Sequence, residues 1–134
     1  MTQIIENLAE ISDRYDALFV DLWGCVHDGV QAVPDAVAAL QTSRAGGGNV
    51  VWVTNSPKPR TGVVEQLKIF GVPDDAWDTI ATSGDSARSA MFGGAVGEKV
   101  WFMGEPERDN GFFEPLSMLD NPVTITRVPL ERAE

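Results

Sequence analysis

Asp21 follows the apolar run Ala17-Leu18-Phe19-Val20, and Thr54, Asn55 and Ser56 follow a second such run, Val50-Val51-Trp52-Val53. A carboxylate can attack phosphorus and carry it as an acyl phosphate, splitting one difficult displacement into two easier ones. A threonine hydroxyl and an asparagine amide are neutral donors, suited to the oxygens over which a phosphoryl group in transfer spreads its charge. Together these residues have the chemistry to handle phosphoryl groups, provided that their elements bring them to one place. Alone, each has a plainer explanation. Asp21 could cap a turn or pair with a base, and Thr54-Asn55-Ser56-Pro57 could be strand-end turn chemistry.

Unbroken apolar runs of four, rich in valine and phenylalanine, predict strands buried on both faces of a parallel sheet. In open α/β sheets the ligand crevice lies at the carboxyl ends of such strands. The interval between them leaves room for one helix, which Pro34-Asp35 opens, with Val37 and Leu40 facing inward, and which Gly46-Gly47-Gly48 ends. Further helices are predicted over residues 4–15, 60–70 and 85–91, with Val63, Val64, Leu67 and Phe70 near helical spacing in the second. Further strands are predicted over residues 79–82, 99–103 and 123–127. Strand and helix alternate, so right-handed crossovers and a parallel, Rossmann-like α/β sheet are expected. No Gly-x-Gly-x-x-Gly follows the first strand, which argues against dinucleotide binding.

The loop after the first strand holds Gly24, His27, Asp28 and Gly29, and its glycines permit left-handed turns. His27 and Asp28 are adjacent and do not converge as a pair, so His27 is expected to contact substrate or solvent. Ser83-Gly84-Asp85 reads as a helix start, with Ser83 or Asp85 as cap, although such an end can also hold an anion. Trp52 and Trp101 are expected in the core, whereas Trp23 falls beside Asp21. Cys25 is the sole cysteine. It excludes an internal disulfide and is expected as a packed small side chain.

The 134 residues suit one domain, and a hydrophobic share of 43% suffices for a core. Twenty acids against ten bases give a net charge of -10. That balance argues against nucleic acid and anionic membranes as partners. No apolar stretch approaches the ~18 residues that span a bilayer. Met1-Thr2-Gln3-Ile4-Ile5-Glu6 lacks the basic and apolar regions of a secretion signal, so a cytoplasmic location is the default expectation. Beyond Gly104 the character changes to a polar loop, residues 105–111. The ending Pro129-Leu130-Glu131-Arg132-Ala133-Glu134 reads as an interruption, and a piece of a longer protein is expected.

Read together, these residues resemble the haloacid dehalogenase superfamily, and within it the class IIA, nitrophenylphosphatase-like branch. Asp21-Leu22-Trp23-Gly24 stands where the family has a strand ending in Asp-x-Asp-Gly. Val53-Thr54-Asn55 matches its second motif, a strand ending in Ser or Thr, and Ala81-Thr82-Ser83-Gly84 and the strand at 99–103 look like the same branch entering its cap domain. The resemblance implies a Mg²⁺-dependent phosphatase for a small phosphorylated metabolite, with Asp21 as nucleophile. It implies that the Asp21 carboxylate and the Trp23 backbone carbonyl hold the metal, and that Thr54 and Asn55 bind the phosphoryl group. It also divides the chain into the N-terminal part of the core, 1–84, and part of a C2-type cap, 85–134.

This chain departs from the pattern in two ways. Trp23 replaces the aspartate that protonates the leaving group and activates water, so slow turnover is expected. The family's third-motif lysine and fourth-motif acidic pair lie beyond a complete cap and are absent, so these 134 residues alone are expected to be inactive. Without the flanking strands, the strand bearing Asp21 becomes an exposed apolar edge, and self-association is expected. Two other readings remain open: a carbon–halogen hydrolase that uses Asp21 on carbon, and a non-catalytic binder of phosphorylated metabolites.

Overall fold

The structure, a computed structural model, describes residues 4–105 and 107–129. The outer parts of the Met1–Glu6 and Pro129–Glu134 segments, and Pro106 of the polar loop, lie outside the described residues. The chain forms two compact units, residues up to 54 with 61–81, and residues 55–60 with 82 onward.

In the first unit, β1 (Ala17–Val20), β2 (Asn49–Thr54) and β3 (Thr79–Thr82) form a sheet in that order. β1 and β2 run parallel, with Ala17 opposite Asn49 and Val20 opposite Trp52. Between them runs α2 (Pro34–Ala45), with proline at its start and Gly46 at its end, and α3 (Arg60–Ile69) follows β2. Val37 and Leu40 of α2, and Val63 and Leu67 of α3, join Val50 and Trp52 of β2 in one core. Trp52 is fully buried and stacks on Trp77 at 5.3 Å between ring centroids. Arg44 closes α2 onto the sheet through two hydrogen bonds to the Asp78 carboxylate, which also accepts from the Val50 N–H.

That common core corrects the expectation of strands buried on both faces. Successive crossovers that step across a sheet in one direction place their helices on one face when both are right-handed. β2 therefore alternates, with Val50, Trp52 and Thr54 buried while Asn49 and Val53 are exposed. On β1, Phe19 is 75% exposed. Among the described residues β1 is also an edge of this sheet, and an edge strand that carries an apolar side chain is a template for pairing with another chain. The chain is expected to self-associate at micromolar concentration, and Phe19→Lys to shift it toward monomer. Size-exclusion with light scattering checks this, and a wild-type monomer at every concentration would remove the expectation.

The helix predicted over 4–15 is corrected to one turn, α1 (Ala9–Ser12), with none of its residues buried and Ile4 93% exposed. Short helices are marginal in water without an apolar face to bury, and only Leu8 of this segment packs against the core.

In the second unit, α4 (Ser83–Phe92) buries Met91 and Phe92. The strands predicted over 99–103 and 123–127 shrink to a two-residue parallel pair, β4 (Lys99–Val100) and β5 (Thr126–Arg127). Trp101, expected in the core, follows the last paired residue of β4 and is 45% exposed, a correction. Phe102, Phe112 and Phe113 cluster instead, and the Arg127 guanidinium lies 4.7 Å from the Phe113 ring centroid.

Candidate active site

β1 hands the chain to a loop, residues 22–32, that is anchored by Leu22 and Val26, both in the core. The Leu22 carbonyl accepts the N–H groups of Cys25, Val26 and His27 at 2.9–3.3 Å, which winds the chain into one tight turn. Gly24 and Gly29 have φ of 75° and 94°, the left-handed values expected of them. Because Leu22 points inward, its neighbours Asp21 and Trp23 face solvent, and Trp23 is 65% exposed. The Trp23 ring lies directly over Gly29, where a Cβ would collide with it, and meets the His27 ring edge-on at 5.6 Å. Cys25 is exposed, a correction: Val26, one position on, fills the core place expected for it.

His27 is a second correction. Rather than reaching substrate or solvent, it is 6% exposed, and its ring packs 4.9 Å from that of Phe70. Its Nδ1 accepts the Gly29 N–H at 3.1 Å. Burial lowers its pKa, opposed by the charges of Asp28 and Asp21, and a neutral ring with an accepting Nδ1 is a structural strut rather than a proton donor. Asp28 turns away and accepts the Val30 and Gln31 N–H groups, both at 2.8 Å.

Asp21 comes immediately after the last paired residue of β1, and Thr54 ends the neighbouring parallel β2. The backbone thus brings both to the carboxyl ends of adjacent strands, where an α/β sheet binds its ligands. Asp21 Oδ1 accepts the N–H of Leu22 at 2.8 Å, which orients the carboxylate at the strand tip. Thr54 is buried, and Asn55, the first residue of the second unit, is exposed. The loop's backbone hydrogen bonds do not use the Trp23 carbonyl oxygen. That oxygen and the Asp21 carboxylate are hard donors of the kind Mg²⁺ takes, with waters and phosphate oxygens making up its shell. No group of three or more His, Cys, Asp or Glu side chains able to hold a metal exists among the described residues.

At the start of α4 the expected caps are corrected. Thr82 is the N-cap, its Oγ1 accepting the Asp85 N–H at 2.9 Å. Asp85 is 6% exposed and sits between two guanidinium groups, Arg60 Nε at 2.8 Å and Arg88 Nη1 at 2.9 Å. Burial pushes the Asp85 pKa up, but the hydrogen bonds from Arg60 and Arg88 outweigh it and hold the carboxyl below the usual range. Neither arginine was singled out in the sequence. Arg88 could have been found, since three residues after Asp85 on a helix is a pairing distance. Arg60, twenty-five positions away, gives no local signal.

Comparison with known proteins fits this arrangement. The family model described as haloacid dehalogenase-like hydrolase matches residues 18–114. The crystal structure of a hydrolase of the haloacid dehalogenase-like family from Brucella suis 1330 is similar, at 38% identity and a TM-score of 0.79. The match covers 96% of this chain and 46% of that one, so this chain spans about half the length of that relative. No curated protein matches. With the parallel α/β sheet and the strand-end placement of Asp21 and Thr54, the matched span places this chain in the haloacid dehalogenase-like hydrolase family.

Proposed function

We propose that the protein is a Mg²⁺-dependent phosphatase of the class IIA branch, acting on small phosphate monoesters through an aspartyl-phosphate at Asp21. The observation that carries this reading is the placement of Asp21 and Thr54 at the same end of neighbouring parallel strands. An Asp21 carboxylate oxygen forms a bond to phosphorus as the ester P–O bond breaks, and the departing oxygen takes its proton from water. Water then cleaves the acyl phosphate, which releases inorganic phosphate and restores the carboxylate. Thr54 and Asn55 donate to the phosphoryl oxygens as their charge redistributes. When bound by the Asp21 carboxylate and the Trp23 carbonyl, Mg²⁺ supplies positive charge against the phosphate oxygens.

Residues 85–134 belong to a cap that selects the substrate in this reading, and the protein works in the cytoplasm on a soluble metabolite. Trp23 sets its limit. An exposed indole two residues from the nucleophile can neither protonate a leaving group nor activate water, so turnover is slow. The same residue favours two rivals, attack of Asp21 on a carbon–halogen bond and binding without turnover. Incubating the full protein with a panel of phosphate monoesters and of haloacids, with and without Mg²⁺, separates them. Metal-dependent phosphate release supports the phosphatase, and halide release without metal replaces it. Thermal stabilisation by a phosphate ester with no product formed means a binding protein.

A further inference from the structure

The polar atoms that open α4 grip the segment following Thr54 rather than serving the helix alone. The Ser83 hydroxyl lies 2.9 Å from the Asn55 carbonyl oxygen and 2.9 Å from that of Ser56. The Gly84 N–H donates to the same Ser56 carbonyl at 3.1 Å. The first N–H groups of a helix need acceptors from outside it, and here a carbonyl of the protein takes the place an anion could occupy. At the far end of the segment, the Arg60 N–H and Nε both reach Asp85 Oδ2, at 3.4 and 2.8 Å. Asp85 is itself held by Arg88, whose other terminal nitrogen donates to the Glu114 carbonyl.

Between those ends the segment presses on Gly84. A Cβ there would overlap the Pro57 carbonyl oxygen and stand 2.5 Å from that of Lys58. Both obstacles are backbone, so no rotamer change makes room. Pro57 and Pro59 have no N–H to donate, so the carbonyls of Asn55 and Ser56 are among the backbone groups by which the segment can be held.

We propose that Ser83, Gly84 and Asp85 are positioning residues for Asn55: the start of α4 clamps residues 55–60 and so fixes where the Asn55 amide stands. The catalytic consequence rests on the phosphatase reading, whereas the clamp rests on geometry alone. Gly84 separates the clamp from ordinary helix stability, because alanine is the better helix former and should suit α4 if the segment were not pressed against it. A residue that places a phosphate-binding group acts on catalysis without touching substrate, and a displacement of about 1 Å can cost about 10²-fold in rate.

The test is amide hydrogen exchange by mass spectrometry on the full protein, wild type, Gly84→Ala and Ser83→Ala, alongside calorimetric titration with inorganic phosphate and steady-state kinetics. Faster exchange confined to residues 55–60 is expected in both variants, with β1 and β2 still protected. In Gly84→Ala, phosphate binding is expected to weaken and kcat to fall about 10²-fold. Ser83→Thr, which keeps the hydroxyl, is expected to restore the protection that Ser83→Ala loses. Unchanged exchange over 55–60 in both variants overturns the clamp. Faster exchange there with unchanged phosphate affinity and kcat overturns the positioning role. A wild type that neither binds nor releases phosphate overturns the phosphatase reading, and the exchange pattern then decides the clamp by itself.

Discussion

Asp21→Asn is expected to reduce phosphate release by the full protein at least ~10³-fold, because the carboxylate oxygen that would bond to phosphorus is gone. Asparagine is nearly the same size and keeps an oxygen to accept the Leu22 N–H, which Asp21 Oδ1 accepts at 2.8 Å. Leu22 and Val26 still anchor the loop in the core, so thermal stability should shift by no more than about 0.5 kcal/mol. Loss of activity without loss of stability is the signature to look for, read from phosphate release and a melting curve on one preparation. Undiminished release by the variant would remove Asp21 from the nucleophile role. Release lost together with the fold would show that the side chain supports the β1 tip instead. Wild-type protein quenched in acid after mixing with substrate should carry phosphate on Asp21, and with Trp23 beside it that species should be long-lived.

Asp85→Ala is expected to destabilise the protein by about 3 kcal/mol, measured by denaturant unfolding. The cost lies less in the attraction lost than in the charge left behind. Arg88 is 7% exposed and its Nε already lacks a hydrogen-bond partner among the described residues, so removing Asp85 leaves a buried guanidinium with the Glu114 carbonyl as its remaining acceptor. The lower end of the usual range applies because the Arg60 side chain is 43% exposed and can turn to water. A pH dependence follows with a definite sign. The folded pKa of Asp85 is held below its unfolded value, so its stabilisation is present above the unfolded pKa of about 4 and is lost as pH falls through the folded one. Wild type should therefore lose stability on acidification below about pH 4, and Asp85→Asn should show a shallower loss over the same window. Parallel pH profiles of the two proteins would remove Asp85 as a contributor.

The legible parts of this protein were those written in short-range pattern. Val50 to Val53 and Ala17 to Val20 announce strands through unbroken apolar runs, Pro34 and Gly46 bracket α2, and Val63 and Leu67 recur at helical spacing. Alternation of these elements is enough to require parallel pairing, and parallel pairing sets Asp21 and Thr54 at one end of neighbouring strands. Apolar pattern predicts more regular structure than forms in segments whose side chains contribute little to the core. Residues 4–15 and 99–103 have the propensity for regular structure, but only a turn of helix and two paired residues form.

Amino-acid order by itself determined the carboxyl ends of β1 and β2, their parallel direction and hence that Asp21 and Thr54 share an edge, because each follows from local periodicity and the handedness of the crossovers. Only the tertiary structure decided which face of the sheet is covered and that Val26 rather than Cys25 enters the core. It also decided that His27 is buried and accepting, and that Arg60 meets Asp85. Those outcomes depend on which distant group arrives at a given side chain, and burial and ion pairing are settled by that arrival rather than by the residue's near neighbours in the chain.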